Sequence, residues 1–249
     1  MMRVIYVLWL RQLKKYGRSK SRVVGAVGQP LLFLLALGYG LGSVFARAGK
    51  GDYIQFLVPG VIVQTILFAS IFWGVNILFD RMLGFLKELL VAPVPRLTIL
   101  LGSVLGGATT GFLQGALVLL VSLAIGFRPY SLPLTLVAFA IMAMLAIGMT
   151  SLGAGLGSII DNMPGFQAVN NFIIFPLYFL SSSLYPLDSA PPALKIIAMF
   201  NPLSYAVDAL RGTLINQSHY GLATDFAALG ITMVALIAFG TVCFRRIQT

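Results

Sequence analysis

The 249-residue chain is 59% apolar and only 10% charged, and its mean hydropathy is strongly positive, which excludes an ordinary water-soluble domain. Its net charge of +10 would suit a nucleic-acid partner only on a folded soluble face with interleaved aromatics, and no segment supplies one. The single cysteine, Cys243, permits neither an intrachain disulfide nor a thiol metal cluster.

The first 22 residues place Ile5, Trp9, Leu13 and Tyr16 on one helical face and Arg11, Lys14, Lys15 and Arg18 on the other. This is the pattern of a helix resting in the membrane interface against anionic lipid. Charge-free runs follow over residues 23–46, 53–79, 97–127, 129–160, 162–187 and 226–244. Each reaches the roughly 20 residues that a spanning helix needs, and none alternates as a membrane β-strand would. The expected fold is therefore all-α and integral to the membrane, with six spans.

Basic residues near span ends mark the cytoplasmic side. The N-terminal arm, the segment after span two (Arg81, Lys87, Arg96) and the C-terminus (Arg245, Arg246) fall on one side, so both termini are expected in the cytoplasm. The positive balance is thus a topology signal.

Between spans two and three lies DRMLGFLKELLVAPVPR, from Asp80 to Arg96. Arg81, Gly84, Lys87 and Glu88 form one stripe of a helical wheel and Met82, Leu83, Leu86, Leu89 and Leu90 the other. Pro93 ends the helix. The pattern reads as a cytosolic handle on which something outside the membrane pushes.

Small residues at four-residue spacing, such as Gly102 and Gly106 or Gly153 and Gly157, indicate close helix packing. Spans three and four form a tight hairpin at Arg128-Pro129. Amides inside hydrocarbon are costly unless they face the bundle or a wet cavity. Gln64, Asn76, Gln114, Gln167, Asn170 and Asn171 qualify, and Gln64, Asn76, Asn170 and Asn171 are taken as candidate pathway-lining residues. No acidic residue lies in the middle of a span, so a proton relay has no candidates.

From Tyr185 to Asp225 the chain offers two apolar stretches divided by Asn201-Pro202, the break expected for paired half-helices dipping into the outer leaflet. Asp208 and Arg211, three residues apart, are expected to pair on one helical face. His219 stands without a metal-ligand spacing. Ser181, Ser182 and Ser183 have no base for an intramembrane hydrolase beyond that histidine, and are read as donors to carbonyls at a helix end. No Walker A loop occurs, so the chain carries no ATP site of that kind and no cofactor of its own.

The basic N-terminal helix, the six spans, KELLVAPVP over residues 87–95 and NPLSYAVDALR over residues 201–211 together resemble the permease subunit of the type-2 ABC exporter family. The likeness extends to its daunorubicin-resistance and nodulation lipo-oligosaccharide branches. It implies one permease domain over residues 1–249: an interfacial helix (1–22), spans one to five with a coupling helix at 80–92 (23–185), an outer re-entrant segment (186–224), and span six with its tail (225–249). Asp80, Arg81, Gly84, Phe85, Lys87 and Glu88 match the coupling helix, which in the family fits a groove on a separate ATPase holding ATP and magnesium. Family members often open that helix with an acidic, basic, acidic triplet, whereas this chain has one charge fewer. Asn201, Pro202, Tyr205, Asp208 and Arg211 match the motif that narrows the outer end. The implied partners are that ATPase, a second copy of this chain meeting it along spans one and five, and lipid. The implied activity is ATP-driven export of an amphipathic drug, lipid or lipid-linked glycan across the cytoplasmic membrane of a prokaryote. A stand-alone carrier or channel, with the handle as a mere anchor, is the alternative reading.

Overall fold

A computed structural model describes residues 2–18, 20–47, 51–84 and 94–246. Among them the chain is helical without strands, an all-α integral membrane fold. Helix α1 (Met2–Arg18) leads into α2 (Lys20–Arg47), α3 (Tyr53–Met82), α4 (Arg96–Ile125) and α5 (Leu132–Ile159). Helix α6 covers residues 163–179 in three segments, Met163–Val169, a π-helical Asn170–Ile174 and Phe175–Phe179. Helices α7 (Pro192–Phe200), α8 (Pro202–Ile215) and α9 (Leu222–Arg245) complete the fold. Five of these, α2 from Gly28 onward, α3, α4, α5 and α9, are long and apolar enough to cross a bilayer.

The fifth expected span is shorter than its charge-free run. The 17 residues of α6 rise about 26 Å, the short limit for a hydrocarbon core of about 30 Å. Its end is a turn in which Ser182 takes a positive φ of 61° and Ser181 Oγ donates to the Tyr178 carbonyl at 2.6 Å. The serines thus close a helix, as their types suggest.

Helix α3 is the axis of the molecule, with 83% of its apolar window buried against 17% for α2 and α9. It packs on α2, α4, α5 and α8 through a continuous core that includes Leu57, Ile62, Ile66, Met142 and Leu210. Glycine permits its closest approach: a Cβ on Gly74 would run into the backbone of Gly153, and one on Gly157 into the backbone of Gly74. In lipid, where no hydrophobic drive separates helix from tail, such backbone contact is a main source of helix association.

Helix α1 packs against α4. A Cβ on Gly102 would meet Leu8 Cβ at 2.9 Å and one on Gly106 would meet Gln12 Cβ at 2.8 Å. Trp9 Nε1 donates to Thr109 Oγ1 at 3.0 Å. Two glycines one turn apart on α4 therefore form a groove that seats Leu8 and Gln12, a face rotated from the one that apolar periodicity alone selects.

The handle also starts differently. Helix α3 runs on to Met82, so Asp80 and Arg81 belong to its last turn. Gly84, at a φ of 77°, turns the chain away in the left-handed conformation that commonly ends helices. Among the described residues the helix that carries Asp80 and Arg81 therefore ends before Gly84. Phe85, Lys87 and Glu88 lie outside the described residues.

On the opposite side, α7 and α8 meet at a 92° bend. Asn201 makes the break, accepting the Leu203 amide at 3.0 Å with its Oδ1 and donating Nδ2 to the Leu177 carbonyl at 2.6 Å. Pro202 occupies the first turn, where its missing N–H costs nothing. Helix α8 is buried almost throughout, whereas α7 exposes Ile196, Met199 and Phe200.

Candidate functional site

A cavity of about 850 Å³ opens within the helices, reaching from the handle end of α3 at Asp80 and Leu83 to mid-helix at Gln64 and Thr65. All four amides assigned to a pathway from the sequence, Gln64, Asn76, Asn170 and Asn171, line it. So do Gln29, Gln114 and Gln167, contributed by α2, α4 and α6. Aromatic walls are supplied by Phe68, Phe72, Trp73 and Phe175. Mostly apolar walls with a few convergent polar groups are the usual make-up of a ligand site.

Local geometry explains how the amides come together. Pro30 lies inside α2, loosening the helix beside Gln29. In α6 the π-helical turn begins at Asn170. Such a turn inserts an extra residue and shifts the side chains that follow it, and it recurs at functional sites. Neighbouring Asn170 and Asn171 thus both reach the cavity, the first buried and the second exposed on the rim. The π turn was not legible in the sequence, although the Asn-Asn pair in an apolar run marked the place.

The cavity's polar groups are incompletely matched. Asn76 is engaged, accepting from Lys15 Nζ at 3.4 Å and donating to the Trp73 carbonyl at 3.3 Å. Tyr178 Oη points at Gln64 Oε1 at a long 3.5 Å. Asn170 Oδ1 and Trp73 Nε1 are buried without a hydrogen-bond partner. Lys15 and Asp80, both at the handle end, are the charged side chains that line the cavity among the described residues.

The two described ends of the handle are fastened by arginines. Arg81 Nη1 donates to the carbonyls of Ser158 at 2.6 Å, Ile160 at 3.1 Å and Gly157 at 3.4 Å, and Nη2 lies 2.9 Å from Asp161 Oδ1. The carbonyls that end α5 have no intrahelical partner, and a cation there also meets the negative end of the helix dipole. Arg96 Nη1 does the same at the end of α9, donating to the Arg245 carbonyl at 2.9 Å. Arg81 is thus turned onto its own chain rather than presented outward. Asp80 stands near Arg11 and Lys15 of α1, and Gly84 serves the turn.

The motif at residues 201–211 forms a brace. Tyr205 Oη donates to the Met199 carbonyl at 2.7 Å, holding α7 against α8. The Asp208 carboxylate accepts from Ser218 Oγ at 3.0 Å and from the amides of His219 and Tyr220 at 2.9 Å and 2.8 Å. Arg211 reaches the other way, donating to the carbonyls of Ser182 at 2.9 Å and Ser183 at 3.1 Å and stacking over the Phe56 ring at 3.7 Å. Asp208 and Arg211 therefore do not form the expected pair. Each has partners of better geometry in the loops that flank the bent pair. His219 lies 3.0 Å from Asp188 through Nδ1, while Ser181 and Ser183 bond each other at 2.6 Å. Neither arrangement resembles a nucleophile with its base.

Residues 3–215 match the family model described as ABC-2 type transporter. The chain is 29% identical over 253 residues to the putative transport permease ycf38 of Cyanophora paradoxa, covering 96% of this chain and 86% of that one. It is 27% identical over 242 residues to nodulation protein J of Rhizobium leguminosarum bv. trifolii, covering 96% and 92%. It is 29% identical over 252 residues to the inner membrane transport permease YadH of Escherichia coli K12, covering 97% and 93%. A multi-pass helical chain with a polar cavity among its helices, matched over nearly its whole length by transport permeases, belongs to the ABC-2 type transporter family as a transport permease subunit.

Proposed function

We propose that this chain is the membrane subunit of an ATP-driven exporter, in which two copies work with two copies of an ABC ATPase that holds ATP and magnesium. The handle lies in the cytoplasm with both termini, and Asp80, Arg81, Gly84, Phe85, Lys87 and Glu88 form or support the surface that meets the ATPase. Closure of the ATPase pair displaces the handle, and Arg81 passes that displacement to the turn between α5 and α6. Cargo enters the cavity from the cytoplasmic half, between the amides Gln64, Asn76, Asn170 and Asn171, and leaves on the far side. There the brace of Asn201, Pro202, Tyr205, Asp208 and Arg211 bounds the exit.

The observation that carries this reading is the cavity, about 850 Å³ in volume and beginning at the point where the handle leaves α3. Its mixture of aromatics and amides suits an amphipathic drug, lipid or lipid-linked glycan, and a cytoplasmic membrane is the setting in which such cargo would be met. The test is reconstitution of the chain with its candidate ATPase in liposomes. Cargo movement that needs both chains and ATP is expected. Flux through the chain alone without ATP would instead favour a stand-alone carrier or channel.

A further inference from the structure

We propose that the buried carboxyls of Asp208 and Asp225 form a proton-binding site. The pair holds one proton, carried by Asp225, and the hydrogen bond from Asp225 to Asp208 fastens the start of α9 to α8 in a pH-dependent way.

Asp225 lies in the first turn of α9 and is fully buried. Neither of its carboxyl oxygens meets a donor. The Asp208 carboxyl, on the buried helix α8, stands within hydrogen-bonding reach of it. Ionised carboxylates only accept, so two ionised groups in contact could not bond, and they would repel each other where burial weakens screening. One proton removes both defects, because a carboxylic acid donates to a carboxylate in a short, charge-assisted bond. A metal ion would need more ligands than two carboxylates supply, and among the described residues no group of three His, Cys, Asp or Glu side chains gathers to hold one.

The neighbours decide which carboxyl carries the proton. Asp208 already accepts from Ser218 Oγ and from the amides of His219 and Tyr220, and such donors favour its ionised form. Asp225 has no such donor, and the charge that acts on it is that of Asp208. The amino end of α9 favours an anion there, an effect smaller than contact with a buried like charge. Tyr220 stands close by with Tyr205 and Tyr185 beside it. His219 holds its Nδ1 3.0 Å from Asp188 Oδ1, and Arg211 turns its guanidinium to the Ser182 and Ser183 carbonyls. Helix α5, packed along α9, carries no titratable side chain, and that of α4 is Arg96 at the opposite end.

The pH dependence has a definite sign. At neutral pH an Asp in the unfolded chain is ionised, so the folded chain holds one proton more and its stability falls as pH rises. Once that proton leaves, two like charges stand in contact. The hold of α8 on the start of α9 is then loosened, together with the loop that hangs on Asp208 through Ser218, His219 and Tyr220.

Infrared difference spectroscopy of the full chain in lipid nanodiscs and deuterated buffer tests this, since a protonated carboxylic acid has a carbonyl band distinct from that of a carboxylate. The parent is expected to show the acid band at neutral pH, Asp225→Asn to lack it, and alkali to remove it reversibly from the parent. Asp225→Glu, which keeps the acid and is expected to shift the band, replaces the amide should that variant fail to fold. Unfolding measured from about pH 5 to about pH 9 gives a second readout: the parent is expected to lose up to about tenfold in folding constant per pH unit relative to Asp225→Asn, whose amide donates to Asp208 at every pH. His219 and Asp188 titrate alike in both chains and drop out of the comparison. Absence of the acid band from the parent, its persistence unchanged in the Asp225 variants, or equal pH slopes in parent and Asp225→Asn would overturn the proposal. Stabilisation by sodium or magnesium at neutral pH that Asp225→Asn abolishes would set a cation between the carboxyls instead and would overturn it too.

Discussion

Arg81 and Asp161 join the last turn of α3 to the turn that opens α6, with guanidinium and carboxylate 2.9 Å apart. Asp161 is 80% exposed, and exposed ion pairs contribute about 0–1 kcal/mol. The carbonyls of Ser158 and Ile160 are the stronger partners, because hydrogen bonds to a charged group contribute about 1.5–3 kcal/mol each. Arg81→Ala is therefore expected to lower apparent thermal stability by a few times more than Asp161→Asn, with Arg81→Lys between them. Thermal unfolding of the purified variants in one detergent checks the ranking. A larger loss for Asp161→Asn would assign the joint to the ion pair.

The crossing of α3 and α5 gives a second prediction. A Cβ on Gly153 would stand 2.6 Å from the Ile71 carbonyl oxygen, with no flexible side chain to yield. Gly153→Ala is expected to cost at least the roughly 1–3 kcal/mol typical of overpacking. Gly42→Ala meets nothing within 4 Å and is expected to be neutral or slightly stabilising, since alanine is the better helix former by about 1 kcal/mol. The yield of monodisperse protein on size exclusion separates the two.

In the brace at residues 201–211, Asp208 and Arg211 hold different loops. Three residues apart on one buried helix, with the Asp208 carboxylate acting on the Arg211 charge, their alanine variants are expected to couple in a double-mutant cycle by about 0.5–3 kcal/mol although they share no hydrogen bond. Additivity within about 0.3 kcal/mol would mean that the two loops are held independently. Each single variant leaves buried groups unsatisfied, so each alone is expected to cost about 1–3 kcal/mol or more.

The seat of α1 is also testable. Gly106→Leu would drive a side chain into Gln12, whose Cβ already lies 2.8 Å from the ideal Cβ position. It is expected to release α1 and to expose Trp9, which the Thr109 hydroxyl now fixes at 3.0 Å. A red shift and stronger quenching of Trp9 emission by iodide in a Trp73→Phe background would report it. Unchanged quenching would mean that the helix is held from elsewhere.

How far the sequence reaches depends on the range of the cause. Spans follow from composition because the bilayer demands an unbroken apolar run, and the Asn201-Pro202 break follows because proline restricts its neighbour locally. The amides Gln64, Asn76, Asn170 and Asn171 stood out for a similar reason, as groups that hydrocarbon cannot accommodate alone. The partners of Arg81 and Arg96 lie 76 to 149 positions away and leave no local trace. Spacing suggested an Asp208–Arg211 pair, but tertiary partners at Ser182 and His219 prevailed. Likewise the wheel drawn from Asp80 could not show that α3 continues to Met82 before Gly84 turns the chain.

The most direct test of ATP-coupled export through the handle is charge reversal at Lys87 and at Glu88 in liposomes containing this chain and its ATPase. Outward movement of a fluorescent alkyl glycoside is measured beside ATP hydrolysis. Lys87→Glu and Glu88→Lys are expected to abolish most export while hydrolysis persists. Export at the parent rate in both variants, or glycoside flux through this chain alone without ATP, would contradict that coupling.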